Sequence, residues 1–231
     1  MTKQTPRVEI GRIELIVDYE GKDLAFVHPL QGPNDYQTVG KGILARNLTI
    51  PTGSQIASLI QGAYSSEEPE FKEVQNIMRN KWLWVFNRNL WTPEGVYVVN
   101  DPEVIGMSQP LDVDNLRSKL IVEDVYGIRA SEDGNIRFAP KDSYRLGEHT
   151  KESLTDDSFM IASFGKAGAE VLADVSTKFR YKPAVWGVDV QEGQDNVQRV
   201  SALNSNRLLN GRLSVVGYLH GSGGGGCAFG V

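Results

Sequence analysis

The apolar positions of this chain change their period several times, and each change marks an element. Trp82, Trp84 and Phe86 alternate with Leu83 and Val85. On a strand the first three share one face and the other two share the opposite face. Both faces are then apolar, which suits a central strand covered on both sides. Thr92-Pro93-Glu94-Gly95 has turn chemistry, and residues 96–99 read as the partner strand. Trp91 closes the same stretch. Aromatic rings bury large areas, so a tryptophan-rich hairpin is expected at the centre of the core.

Residues 13–19 and 24–27 are strand-like on either side of Glu20-Gly21-Lys22-Asp23, which predicts a first β-hairpin. Residues 31–34, with Gly32 and Pro33, read as loop. Helical spacing then takes over. A helix starts near Thr52 or Ser54 and carries Ile56, Leu59, Ile60 and Ala63. A second has Pro69 in its first turn and an apolar stripe of Phe71, Val74, Ile77 and Met78. Asp112 can cap a short helix bearing Val113, Leu116 and Leu120. Residues 121–128 and 136–138 look extended around a turn at 131–135.

Thr150 or Ser153 starts another short helix. Residues 159–162 (Phe, Met, Ile, Ala) read as a short apolar strand, and residues 165–179 as a helix buried through Ala169, Leu172, Ala173 and Val175. Residues 184–190 are a strand, so the span predicts a strand–helix–strand unit. Residues 199–203 and 212–219 are further strands, with the hairpin signal Asn210-Gly211 before the second. The expected architecture is α+β: a mixed or mainly antiparallel sheet, four to five helices and a central Trp-rich hairpin. The whole of 1–231 is expected to be one domain, with its weakest point at 100–112.

Composition narrows the function classes. The chain has 231 residues, 40% hydrophobic and 23% charged, as in an ordinary globular protein. A net charge of −5 argues against a general binder of nucleic acid or anionic membrane, so neither partner is expected. Cys227 is the single cysteine and can form no internal disulfide, which suits a reducing compartment. The first residues carry no apolar run, and no stretch approaches ~18 consecutive apolar residues. A soluble cytoplasmic protein is expected.

The most chemical stretch is Ser163-Phe164-Gly165-Lys166-Ala167-Gly168, read as the point where a strand gives way to a helix. Free N–H groups at a helix start, glycines that allow close approach and a lysine alongside can hold a phosphate or carboxylate. Ser163, Gly165, Lys166 and Gly168 are the candidate anion-binding residues. The stretch is neither a Walker A loop nor a dinucleotide fingerprint. The plainer reading is packing: Gly165 and Gly168 bring the helix close to the sheet while Lys166 stays solvated.

Residues 221–226 are a glycine-rich run that ends in Cys-Ala-Phe-Gly-Val. Such composition usually means a flexible tail. The apolar ending predicts instead that Phe229 and Val231 dock on the body, with a partner-binding segment as the sharper alternative. His149, His220, Cys227 and Glu148 lack any metal-ligand spacing, so no metal or cofactor is expected. Glu20-Gly21-Lys22 has the acid-x-lysine form of some metal-dependent nucleases but falls in a turn. Arg79 and Arg88 among the tryptophans could stack on bases, yet the two-sided apolar pattern makes that region core. Two functional readings remain, and no catalytic residue is assigned. One is a binding or structural protein that acts through its surface, a protein partner or self-assembly. The other is a small enzyme or sensor for a phosphorylated or carboxylated small molecule at Ser163, Gly165, Lys166 and Gly168.

Overall fold

The computed structural model of the chain describes residues 7–9, 13–124, 126–205 and 211–231. Strands β1 (Arg7–Glu9), β2 (Glu14–Tyr19) and β3 (Lys22–Val27) form a three-stranded antiparallel sheet. Glu20 and Gly21 turn between β2 and β3 with φ of 55° and 77°. Positive φ at both central residues is what a two-residue hairpin turn demands. Residues 31–34 depart from the loop expectation: they form β4 (Gln31–Asn34), an outlying strand whose partner among the described residues comes from the far end of the chain.

A helix that the apolar pattern hides follows, α1 (Tyr36–Leu44). Gly40 and Gly42 make this stretch look like loop. A side chain at Gly40, however, would meet Val104 at 2.4 Å, so glycine is there for packing. Asp35 caps the helix by accepting from the Thr38 amide. Helices α2 (Gly53–Ser65) and α3 (Pro69–Asn80) bury the expected stripes, and Thr52 forms a capping box with Gln55.

The tryptophan-rich hairpin is β5 (Trp82–Thr92) and β6 (Gly95–Asn100). Trp84 and Phe86 pack with Tyr36, Val39 and Ile43 of α1 on one face. Leu83, Val85 and Trp91 pack on the other with α2 and α3. Trp84 and Trp91 are fully buried, while Trp82 and Trp186 are partly exposed.

The middle of the chain holds α4 (Val113–Ser118), β7 (Val122–Glu123), β8 (Arg129–Ala130), β9 (Ile136–Pro140), β10 (Gly147–Glu148) and α5 (Lys151–Thr155). Asp101 fastens the segment after β6 by accepting from the amides of Ile105 and Gly106 and from the Tyr36 hydroxyl. Helix α6 (Ser158–Ser176) then corrects the strand expected at 159–162. Ser158 to Phe164 are buried all round, which erases the helical period from the sequence, and Asp157 caps the start through the Met160 amide. With no strand there, the strand–helix–strand unit falls too.

Strands β11 (Ala184–Trp186), β12 (Val197–Asn204), β13 (Ser214–Leu219) and β14 (Gly226–Ala228) complete an eleven-stranded mixed sheet. Its main path runs β10-β11-β13-β12-β5-β6-β9-β8-β7, so the tryptophan hairpin is central. Asn210, half of the expected hairpin signal, lies outside the described residues. The fold is α+β, with six α-helices among the described residues where four to five were expected.

Strand β14 lies between β4 and β5, antiparallel to the first and parallel to the second. The Val27 amide donates to the Gly230 carbonyl at 2.9 Å, and Thr49 and Val231 exchange backbone bonds of 2.7 and 3.1 Å. Phe229 is fully buried in the main core. A side chain at Gly226 would stand 2.0 Å from the Trp84 indole nitrogen, so the last glycine of the run is a packing requirement.

Candidate functional site

Helix α6 is interrupted. Gly165 has φ 70° and ψ 165°, a region open essentially to glycine alone. No atom lies within 4 Å of the place where its Cβ would be, so the glycine answers the backbone and not crowding. A break frees carbonyls on one side and amides on the other. The freed carbonyls have partners: Arg137 Nη1 donates to Ala162 at 3.2 Å, and Asn87 Nδ2 donates to Ser163 at 3.1 Å. The restarted half runs from Lys166, and its first turn lines a cleft of about 860 Å³.

Three other elements wall this cleft. The end of β2 contributes Asp18 and Tyr19, and the β2–β3 turn contributes Glu20 and Gly21. Helix α2 contributes Ser54, Ser58, Gln61 and Ser65, spaced by four, three and four residues and therefore on one face. Strand β9 contributes Arg137. The Tyr19 hydroxyl and Ser54 Oγ are 3.0 Å apart, which ties the turn to the start of α2.

The candidate residues do not all face the cleft. Gly165, Lys166 and Gly168 line it, and Ser163 is not among its lining residues. The Ser163 side chain is buried, and its hydroxyl has no hydrogen-bond partner among the described residues. Gly168 sits where α6 crosses α2: a Cβ there would be 3.4 Å from Ala57 Cβ and Ser54 Cα. Lys166 directs its charge elsewhere. Its Nζ donates to Asp156 at 2.7 Å and to the Thr155 carbonyl at 3.2 Å, and it lies 4.9 Å from the centre of the Tyr126 ring. The Asp156 hydrogen bond holds its pKa above the usual lysine value.

Arg137 is the cation the sequence reading passed over. Burial pulls its pKa below the usual guanidinium value, while Tyr19 and Asp133 act in the opposite sense through space. Among the described residues no carboxylate forms an ion pair with it. A second cleft of about 660 Å³ differs here. Its cations are already matched, Arg117 to Glu94 at 2.7 Å and Lys141 to Asp189 at 2.9 Å. The polar row on α2 was visible as the face opposite Ile56, Leu59 and Ile60. Nothing in the sequence separates a face on a cleft from a face on solvent.

The remaining candidates scatter. Cys227 is buried in β14 beside Leu83, and burial raises its thiol pKa. His149 is buried, with Nδ1 3.2 Å from Ser153 Oγ and Nε2 2.8 Å from the Arg145 carbonyl. Glu148 pairs with Arg212. Among the described residues no three His, Cys, Asp or Glu side chains converge as a metal site. Also among them, no helix is long and apolar enough to cross a membrane.

No family model matches the chain, and no curated protein matches its sequence. One solved structure, from work titled "Accommodation of massive sequence variation in Nanoarchaeota by the C-type lectin fold", is similar with a TM-score of 0.54. The match covers 86% of this chain and 94% of that one at 14% identity. At that identity the likeness is one of fold.

Proposed function

We propose that this chain is a ligand-binding protein and that the cleft between α2, the β2–β3 turn and the break in α6 receives an anionic group of a small molecule, a phosphate or a carboxylate. The observation that carries this reading is Arg137, a desolvated cation on the cleft wall with no ion-pair partner among the described residues. A cation taken partly out of water is costly until an anion meets it. The restarted helix adds amide dipoles of the matching sign. Gly165 and Gly168 serve the site by shaping the backbone, and Lys166 by bracing it through Asp156. The neighbour's fold is described as accommodating massive sequence variation, which suits a scaffold that keeps its core while a recognition surface changes. A reducing compartment such as the cytoplasm suits the single buried thiol.

Calorimetric titration of the wild type and Arg137→Gln with phosphate monoesters and small carboxylates tests this. Arg137→Gln should weaken binding roughly tenfold or more, the scale of one charge-assisted bond. Lys166→Ala should change it much less. A wild type that binds none of these ions ends the reading.

A second reading has its own observation. Ile121, Val122 and Tyr126 are 66%, 52% and 40% exposed beside the short edge strand β7. Apolar side chains at an open sheet edge suit a protein partner or self-association.

A further inference from the structure

Resting on the second reading, that the β7 edge meets a protein partner, we propose that the partner is a second copy of this chain, its β7 edge laid antiparallel against the first across a two-fold axis near Ile121 and Val122. Strand β7 ends the main path of the large sheet, so one of its sides has no strand partner among the described residues. Ile121 and Val122 are 66% and 52% exposed there. Leu120 beside them packs inward on the cluster that holds Leu116 and Phe138. The stretch is thus anchored on one side and open on the other.

Charge identifies the occupant. The stretch reads Lys119-Leu120-Ile121-Val122-Glu123, basic at one end, acidic at the other and apolar between. In an antiparallel pair, a two-fold axis through the apolar centre sets Lys119 of each copy beside Glu123 of the other. The pattern is its own complement. Neither charge is satisfied within the chain: both residues are exposed, and among the described residues neither forms an ion pair. Arg129 stands opposite Glu123 across the β7–β8 ladder but lies over the Phe138 ring, 4.7 Å from its centre. Asp124 is already engaged, since its Oδ1 accepts from the Tyr126 and Ile128 amides at 2.9 and 3.0 Å. A different protein would have to bring a matching pattern, and a second copy carries it already. The patch is small. Interfaces that bury less than about 1,200 Å² are weak and transient, so the dimer forms at micromolar concentrations and above.

Sedimentation velocity of the full chain from roughly 10 μM to 1 mM tests this, with amide exchange of residues 119–124 followed over the same range. The wild type should pass from monomer toward dimer, with exchange at the edge slowing as it does. Val122→Lys, an exposed substitution whose folding is checked by its melt, places like charges at the axis and should weaken the dimer roughly tenfold or more. Lys119→Glu and Glu123→Lys should each weaken it as well. Mixed, those two variants should pair with one another, because one edge is then acidic at both ends and the other basic. A wild type that stays monomeric, or a dimer indifferent to all three substitutions, refutes the second copy and leaves the edge to another protein. Edge amides already slow to exchange in the monomer would show that the chain covers this edge itself, and both readings would fall.

Discussion

Phe229→Ala is the most informative single perturbation of the fold, because it asks whether the last strand belongs to the core. Phe229 is fully buried in the main cluster, three residues beyond a run that by composition should be a flexible tail. Deleting a buried phenylalanine side chain costs about 3–5 kcal/mol, the larger values applying where neighbours cannot collapse into the space. Here collapse is restrained. The backbone after it is pinned by Val27 to Gly230 at 2.9 Å and by the Thr49–Val231 bonds, and Ala228 before it pairs with Gln31 of β4. The upper half of that range is therefore expected. In a chain of this size each kcal/mol moves the melting temperature by roughly 2–4 °C, so the loss should be about 8–20 °C. Phe229→Leu keeps most of the volume and should recover most of it. Thermal melts paired with urea titrations at constant m-value make the measurement. A shift under about 2 °C for Phe229→Ala would mean that the strand is not held as described.

Two further outcomes are expected. Gly165→Ala puts a side chain on a backbone that only glycine adopts readily, so urea titration should show a loss of about 1–3 kcal/mol, although open space surrounds the position. A gain in stability would show instead that α6 prefers to be continuous. Asp133 is held at about 2, below its usual 3.8, first by the Ser131 hydroxyl and then by the Asn135 amide. A depressed carboxylate stabilises the fold above its unfolded value, and that share is lost as pH falls from 3.8 toward about 2. The melting difference between wild type and Asp133→Asn should shrink over that window, and a difference unchanged by pH would refute the assignment.

The stripes of α2 and α3, buried on one side, each leave a period that a reader can count, and β5, covered on both faces, was legible from its alternating aromatic and aliphatic residues and the turn that follows. Other densely buried or glycine-bearing elements were not. Residues 159–162, within the fully buried start of α6, showed no period and looked like a strand, and α1 was masked by Gly40 and Gly42, which pack against Val104 and Gln31. Strand β4 could not be foreseen from residues 31–34, because its partner arrives almost two hundred positions later through Gly226 and Ala228.

The site divides in the same way. Gly165 was legible as a glycine allowing close approach at the start of a helix, but the strand read before it hid that helix runs on both sides of a break. Lys166 was the visible charge, but charge in a sequence has no direction, and in the fold it turns to Asp156. The charge that faces the cleft stands on β9 between Ile136 and Phe138, where alternation marks it only as the outward residue of a strand. What sets that position apart is Asn87 and Arg137 together. Each closes one carbonyl at the broken end of α6, and the arginine that does so is also the one on the cleft wall. In the proposed function, capping and anion recognition are thus coupled in a single side chain. An anion that draws Arg137 away from Ala162 must act on the end of the first half-helix as well as on the cleft.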